Sequence, residues 1–231
     1  MNTRFLDIAK RRCRLFSQDA PQCLLVQPLG VHENETLPNE IEEIATASPM
    51  PFAMAAFEIE DWERDLMPWS DTAVSKRPEA GTGAFDILRY ILDGLLPWLK
   101  ERYGALPAVL GGYSLAGLFS LWAARKTNAF AGIAAASPSV WIQGWPEYAE
   151  SHPVQARQVY LSLGEREDKT RNRAIAQVGE RIRKEHALLE CQLGEGNCAL
   201  EWNPGGHFVD CERRLARAFI WNLLKLETRE A

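Results

Sequence analysis

The chain has 231 residues, 46% of them hydrophobic and 25% charged, with a formal net charge of −5. That length and balance suit one globular domain with an ordinary core, and an acidic chain argues against a nucleic-acid surface, which needs a basic patch. No run reaches the roughly 18 uninterrupted apolar residues of a membrane span, and the basic N-terminus lacks an apolar core and a small-residue cleavage site, so a cytoplasmic protein is expected.

Apolar runs and turns alternate along the chain. The segment 11–16, RRCRLF, reads as a short edge strand, and 23–29, CLLVQPL, as a buried strand followed by a polar loop over 30–40. Residues 51–59 form the next strand, and 60–82 a long irregular connection. Apolar residues at 87, 88, 91, 95, 98 and 99 share a helical face, with Pro97 expected to bend that helix. A strand over 108–113 leads into a helix over 115–126, and 132–140 is a further strand ending in Ser-Pro-Ser. The strand 158–164 precedes a helix over 170–189 with Ile175, Val178, Ile182 and Leu189 on one stripe; the strand 198–206 and the helix 208–226 close the chain. Strands alternating with helices predict an α/β fold, a mainly parallel sheet covered by helices on both faces.

In such a sheet, ligands bind at the carboxyl ends of the strands. Ser114 sits at the end of strand 108–113 with Gly112 before it and Ala116 and Gly117 after it. This is the pattern of a nucleophile elbow, in which small residues let strand and helix backbones approach; Ala116 stands where glycine is usual. A serine needs a base to take its proton. Of four histidines, His207 follows the last strand directly, whereas His32 lies in an early loop, His152 precedes a proline and His186 lies near an apolar stripe. The third member of a triad orients the imidazole, and Glu165, Glu167 and Asp168 all follow strand 158–164. Serine, acid, histidine is the chain order of the α/β-hydrolases. The amide of Leu115 is the expected first oxyanion donor, with Leu29 preferred over Gly30 for the second. Cys191, Cys198, His207 and Cys211 cluster in the sequence without the spacing of a zinc site, and the five scattered cysteines read as reduced thiols.

Over roughly residues 22–226 the chain resembles the Putative esterase family of α/β-hydrolases, which includes siderophore (enterobactin-type) esterases and S-formylglutathione hydrolases. The resemblance rests on WERDLMPW (62–69), GGYSLAGLFSLWA (111–123), ASPSVW (136–141), VYLSLGEREDKTRN (159–172) and PGGHFVDCERRLARAFIW (204–221). It implies an α/β-hydrolase fold with Ser114 as nucleophile, His207 as base and Glu167 as acid, Asp168 being the fallback. An N-terminal cap domain is not expected, and the siderophore substrate does not carry over from the motifs.

These observations predict one domain over 1–231, a serine hydrolase that cleaves a small-molecule carboxylic ester or thioester through an acyl-enzyme. No cofactor, metal, nucleic acid or membrane is expected, and a homo-oligomer is compatible with the sequence. Trp69, Trp141 and His32 are candidates for substrate contact, within a set of loop tryptophans that also includes Trp62 and Trp145. Two alternatives share the scaffold: a non-catalytic binding protein, and an acyltransferase using the same triad.

Overall fold

The computed structural model describes residues 2–230, except for the side chains of Asn2, Val31, His32, Arg229 and Glu230. Eight strands form one sheet: β1 (Asn2–Ile8), β2 (Arg11–Ser17), β3 (Cys23–Leu29), β4 (Phe52–Glu58), β5 (Ala108–Tyr113), β6 (Gly132–Ala136), β7 (Gln158–Gly164) and β8 (Cys198–Asn203). Their order is β1-β2-β4-β3-β5-β6-β7-β8. The β1–β2 and β2–β4 pairs are antiparallel and all others parallel.

The central strands bury both faces, and their alternation sorts side chains between two cores. In β3, Leu24 and Val26 point into one cluster, and Cys23, Leu25 and Leu29 into the other. In β4, Ala53, Ala55 and Phe57 alternate in the same way with Phe52, Met54 and Ala56. One face is covered by α1 (Leu37–Ala47) and α8 (Cys211–Glu230), whose Leu215, Phe219, Leu223 and Leu226 recur at helical spacing. The opposite face carries α2 (Trp62–Leu66), α3 (Ala84–Tyr90), α4 (Leu96–Tyr103), α5 (Leu115–Lys126), α6 (Trp145–Ser151) and α7 (Val178–Leu193). A buried Arg125–Glu185 pair at 2.6 Å, with the Trp145 indole donating to the same carboxylate at 3.0 Å, ties α5, α6 and α7 together. Among the described residues no helix is long and apolar enough to cross a membrane.

Several expected elements need correction. Segment 11–16 is not the edge: β1 pairs outside it, through a two-residue turn in which Ala9 and Lys10 both take positive φ. The loop expected over 30–40 contains a 3-10 turn, Val31–Asn34, and the start of α1. Pro38, which reads as a loop residue, stands in the first turn of that helix, where its missing N–H costs nothing; Leu37, Ile41 and Ile44 form the buried face. The helix that holds Pro97, expected as one run, carries an irregular turn. The turn before the proline, Ile91–Leu95, widens to a π-helix in which Leu96 N–H bonds to Ile91 O, five residues back. The strands expected over 132–140 and 198–206 end early, at Ala136 and Asn203, so the residues after them are free to form site loops.

One buried group works against the fold. Glu40 on α1 is 3% exposed and meets Gln27 of β3 at 3.4 Å, leaving one oxygen of each side chain without a hydrogen bond. Burial pushes the Glu40 carboxyl well above the ordinary glutamate range, partly opposed by the Gln27 hydrogen bond and reinforced by the charges of Glu33, Glu212 and Glu43. Between the unfolded and the raised native pKa the native state holds a proton that the unfolded chain has released, so stability falls as pH rises past the unfolded value. Glu40→Gln removes that penalty and pairs the amides. Denaturant titration should show a gain on the order of 1–2 kcal/mol at pH 7 that disappears near pH 4.

Candidate active site

The chain leaves β3 toward β4 on one side and later returns to β5 on the other. The sheet order thus reverses between β3 and β5, which pair only from Leu24↔Ala108 to Val26↔Leu110. Beyond that register a crevice opens at the carboxyl ends of the strands, the place where open α/β sheets bind ligands.

Ser114 stands at this crevice, between β5 and α5, with φ 59° and ψ −117°. A non-glycine residue held there costs on the order of 1–3 kcal/mol and persists only where its surroundings over-determine it. They do so through three bonds: Ser114 N–H donates to Ala136 O at 3.0 Å, and its carbonyl accepts from Leu118 N–H (3.0 Å) and Ser139 N–H (3.2 Å). A Cβ on Gly112 would lie 2.5 Å from the Ala116 Cβ and 2.6 and 2.8 Å from the Ala116 backbone C and O, so this turn needs glycine at 112 whatever stands at 116. Gly117 sits 3.0 Å, measured from a notional Cβ, from Gly112 O, which makes it a second point of close approach.

His207 Nε2 lies 3.0 Å from Ser114 Oγ, and His207 Nδ1 lies 2.7 Å from Glu167 Oε2. The imidazole is 29% exposed and the carboxylate 4%. Burial alone would raise the Glu167 pKa. The hydrogen bond and charge of His207, with donation from Ser137 Oγ at 2.8 Å and Gly164 N–H at 2.7 Å, outweigh it and hold the carboxyl below its ordinary value. An ionised carboxylate can only accept, so Nδ1 carries the proton and Nε2 presents a lone pair to the serine hydroxyl. Of the other acids after β7, Glu165 is exposed and Asp168 faces the start of α7, its Oδ2 beside Gly179.

Sequence reasoning missed Arg214. Buried at 1% exposure, it donates to Glu167 Oε1 (2.9 Å), to Tyr113 Oη (3.0 Å) and to the carbonyls of Pro204 (3.0 Å) and Gly206 (3.1 Å). Tyr113 Oη in turn donates to His207 O at 2.7 Å. One guanidinium thus ties the acid to the turn that carries the histidine. An arginine within CERRLARAF reads as surface charge, and nothing local marks it as buried.

Leu115 opens α5, so its N–H is among those a helix start leaves without an intrahelical acceptor. Leu29 ends β3 with its carbonyl accepting from Ile59 N–H at 3.0 Å, so its peptide faces β4 and not Ser114, and the N–H of Gly30, the alternative to it, is engaged by Glu33 Oε2 at 2.7 Å. Two cavities meet at the serine. A groove of about 610 Å³ includes Trp62, Tyr113 and Phe208, and a smaller cavity of about 270 Å³ includes Trp141, Ser139 and Thr170; Ser114, His207 and Phe208 line both. Trp69 lines neither: its indole donates to Gln143 O at 2.8 Å and packs against Trp145 and Tyr148. The side chain of His32 lies outside the described residues. His152 bonds locally to Ser151 and Tyr148, and His186 faces Glu190 at 3.5 Å. No group of three or more metal-ligating side chains occurs among the described residues, so Cys191, Cys198, His207 and Cys211 are not gathered.

The elbow packing makes a test. Gly112→Ala should destabilise the protein by about 1–3 kcal/mol in thermal unfolding, and adding Ala116→Gly should recover only a small part of that loss, because the backbone of residue 116 still blocks the new methyl. Full recovery in the double variant would contradict this packing.

The sequence matches the model of the family described as Putative esterase over residues 41–209. No curated protein matches it. Among solved structures, siderophore hydrolase EstA from Aspergillus nidulans superposes with a TM-score of 0.75 at 18% identity, covering 97% of this chain and 94% of that one. Enterochelin esterase from Shigella flexneri gives 0.72 at 16% identity; 99% of this chain spans 59% of that protein. TT1662 from Thermus thermophilus gives 0.63 at 19% identity, with 98% of each chain covered. On the family match and this shared α/β-hydrolase fold, the chain belongs to the Putative esterase family, whose chemistry is the hydrolysis of esters.

Proposed function

We propose that the protein is a serine esterase acting on a small-molecule carboxylic ester or thioester through an acyl-enzyme on Ser114. The observation that carries this reading is the continuous hydrogen-bonded line from Ser114 Oγ through His207 to a buried, ionised Glu167. In the first half-reaction Ser114 Oγ attacks the carbonyl carbon while Nε2 takes the hydroxyl proton. Glu167 stabilises the imidazolium that forms and keeps its ring in place. The amide of Leu115 receives the developing oxyanion, such a donor being worth about 3 kcal/mol. The imidazolium then protonates the leaving alcohol or thiol; the neutral imidazole that results deprotonates the water attacking the acyl-enzyme and passes that proton to Ser114 Oγ as the acid leaves.

The structural relatives are described as acting on siderophores and enterochelin. Their low identity brings the fold to this chain and leaves the substrate to its own groove.

Kinetics on p-nitrophenyl acetate test the assignment. Ser114→Ala and His207→Ala should each lower kcat by about a thousandfold or more, and Glu167→Gln by roughly a hundredfold to ten-thousandfold. Wild-type turnover in Ser114→Ala would overturn it. Glu167 also sets a pH dependence. Its native pKa is depressed, so the stability it contributes is complete above the ordinary glutamate value, about 4.3, and is lost as pH falls through the native one. The Tm advantage of wild type over Glu167→Gln should therefore be largest near neutrality and shrink below about pH 4.

A further inference from the structure

The two cavities that meet at Ser114 differ in size and charge. The groove of about 610 Å³ takes in Ile59, Trp62 and Phe208. Its described lining holds three carboxylates, Glu33, Glu60 and Glu212, and no lysine or arginine. Glu60 has Arg64 3.8 Å away, which offsets part of that charge. The second cavity, about 270 Å³, is bounded by Trp141, Ile175 and Val178. It is below the usual size of a drug-sized ligand's pocket, whereas the first is well within that range.

Phe208 lines both. It follows His207 directly, its ring stands edge-on to the imidazole with centroids 5.0 Å apart, and it is 90% exposed. Val209 beside it is 41% exposed. A phenylalanine left in water at the mouth of a cavity gains free energy when a ligand covers it, and exposed apolar surface of this kind marks binding sites.

Building on the serine-esterase reading, we propose that the substrate is an asymmetric ester: its bulky apolar half, without negative charge, lies between Trp62 and Phe208, and its compact half lies in the Trp141 cavity. Phe208 is the specificity-determining residue, because it covers the bulky half while bordering the compact one. The volumes set the asymmetry, since the smaller cavity offers less than half the space of the groove. The groove carboxylates set the sign, since an anionic substituent there loses water and meets like charges.

Matched esters test this. Steady-state kcat/KM is measured for 3-phenylpropyl acetate and methyl 4-phenylbutanoate, which place one bulky group on either side of the carbonyl. The comparison esters are 3-phenylpropyl 4-phenylbutanoate, bulky on both sides, and versions carrying a para-carboxylate on the ring. The better singly bulky ester should exceed the doubly bulky and carboxylated ones by about tenfold or more. Phe208→Ala should cut the preference for that ester over ethyl acetate about fivefold, mainly through KM, and Phe208→Tyr should retain it. Equal use of the doubly bulky or carboxylated esters, or an unchanged preference in Phe208→Ala, overturns the proposal. Calorimetry on Ser114→Ala keeps the groove testable without turnover. Binding of 3-phenylpropanol, weakened by adding Phe208→Ala and not matched by 3-phenylpropanoate, supports the groove assignment; binding of neither, or preference for the carboxylate, overturns it. Neutral-ligand binding with no turnover of any ester would sink the esterase reading and leave the groove assignment standing.

Discussion

The ion pair between Arg214 and Glu167 holds the site together. Both side chains are buried, a placement that ordinarily costs several kcal/mol per charge and is recovered only when every remaining donor and acceptor is well matched. Here most are. Glu167 accepts from Arg214, Ser137 and Gly164 on one oxygen and from His207 on the other, and the Arg214 Nη atoms also donate to Tyr113 and the carbonyls of the His207 turn, while its Nε has no partner among the described residues. A pair built this way adds little net stability. Its value is position: three segments far apart in sequence, the ends of β5 and β7 and the turn before α8, are fixed to one another at hydrogen-bond precision. That precision sets the His207–Ser114 distance, and with it the chemistry.

The fold delivers those segments to one place for a reason of topology. Because the sheet order reverses between β3 and β5, the crevice above them is open, and each site residue sits just past the carboxyl end of a strand. Helix α8 then returns across the sheet, placing Phe219 so close to β5 that a side chain at Gly111 would overlap its ring. Arg214 lies five residues earlier on the same helix, so the packing that seats α8 also aims the guanidinium at Glu167.

Much of this was legible in the sequence. Ser114 and His207 stand out because strand, turn and helix signals place them at strand ends, and the small residues around Ser114 report a tight turn. Among the acids after β7, periodicity could not choose; Glu167 emerges because it alone is buried against His207, while Asp168 turns to α7 and Glu165 to solvent. Helix α1 was hidden by a first-turn proline and a run of acids that look like a loop, although Leu37, Ile41 and Ile44 carry the period. Arg214 and Trp69 show the limit most clearly. One looks like surface charge and is the buried centre of the site; the other looks like a binding aromatic and braces Trp145. Burial of such residues is decided by which distant segments fold over them, and local sequence holds no record of that.

The account stands on Ser114 being made nucleophilic by this buried line of groups. The most direct measurement is peptide mapping by mass spectrometry after treatment with a fluorophosphonate, which captures an activated serine and leaves ordinary ones unmodified. The account predicts one adduct, on the peptide holding Ser114, formed far more slowly in His207→Ala. A folded protein that takes up no label, or takes it up on another residue, would contradict it.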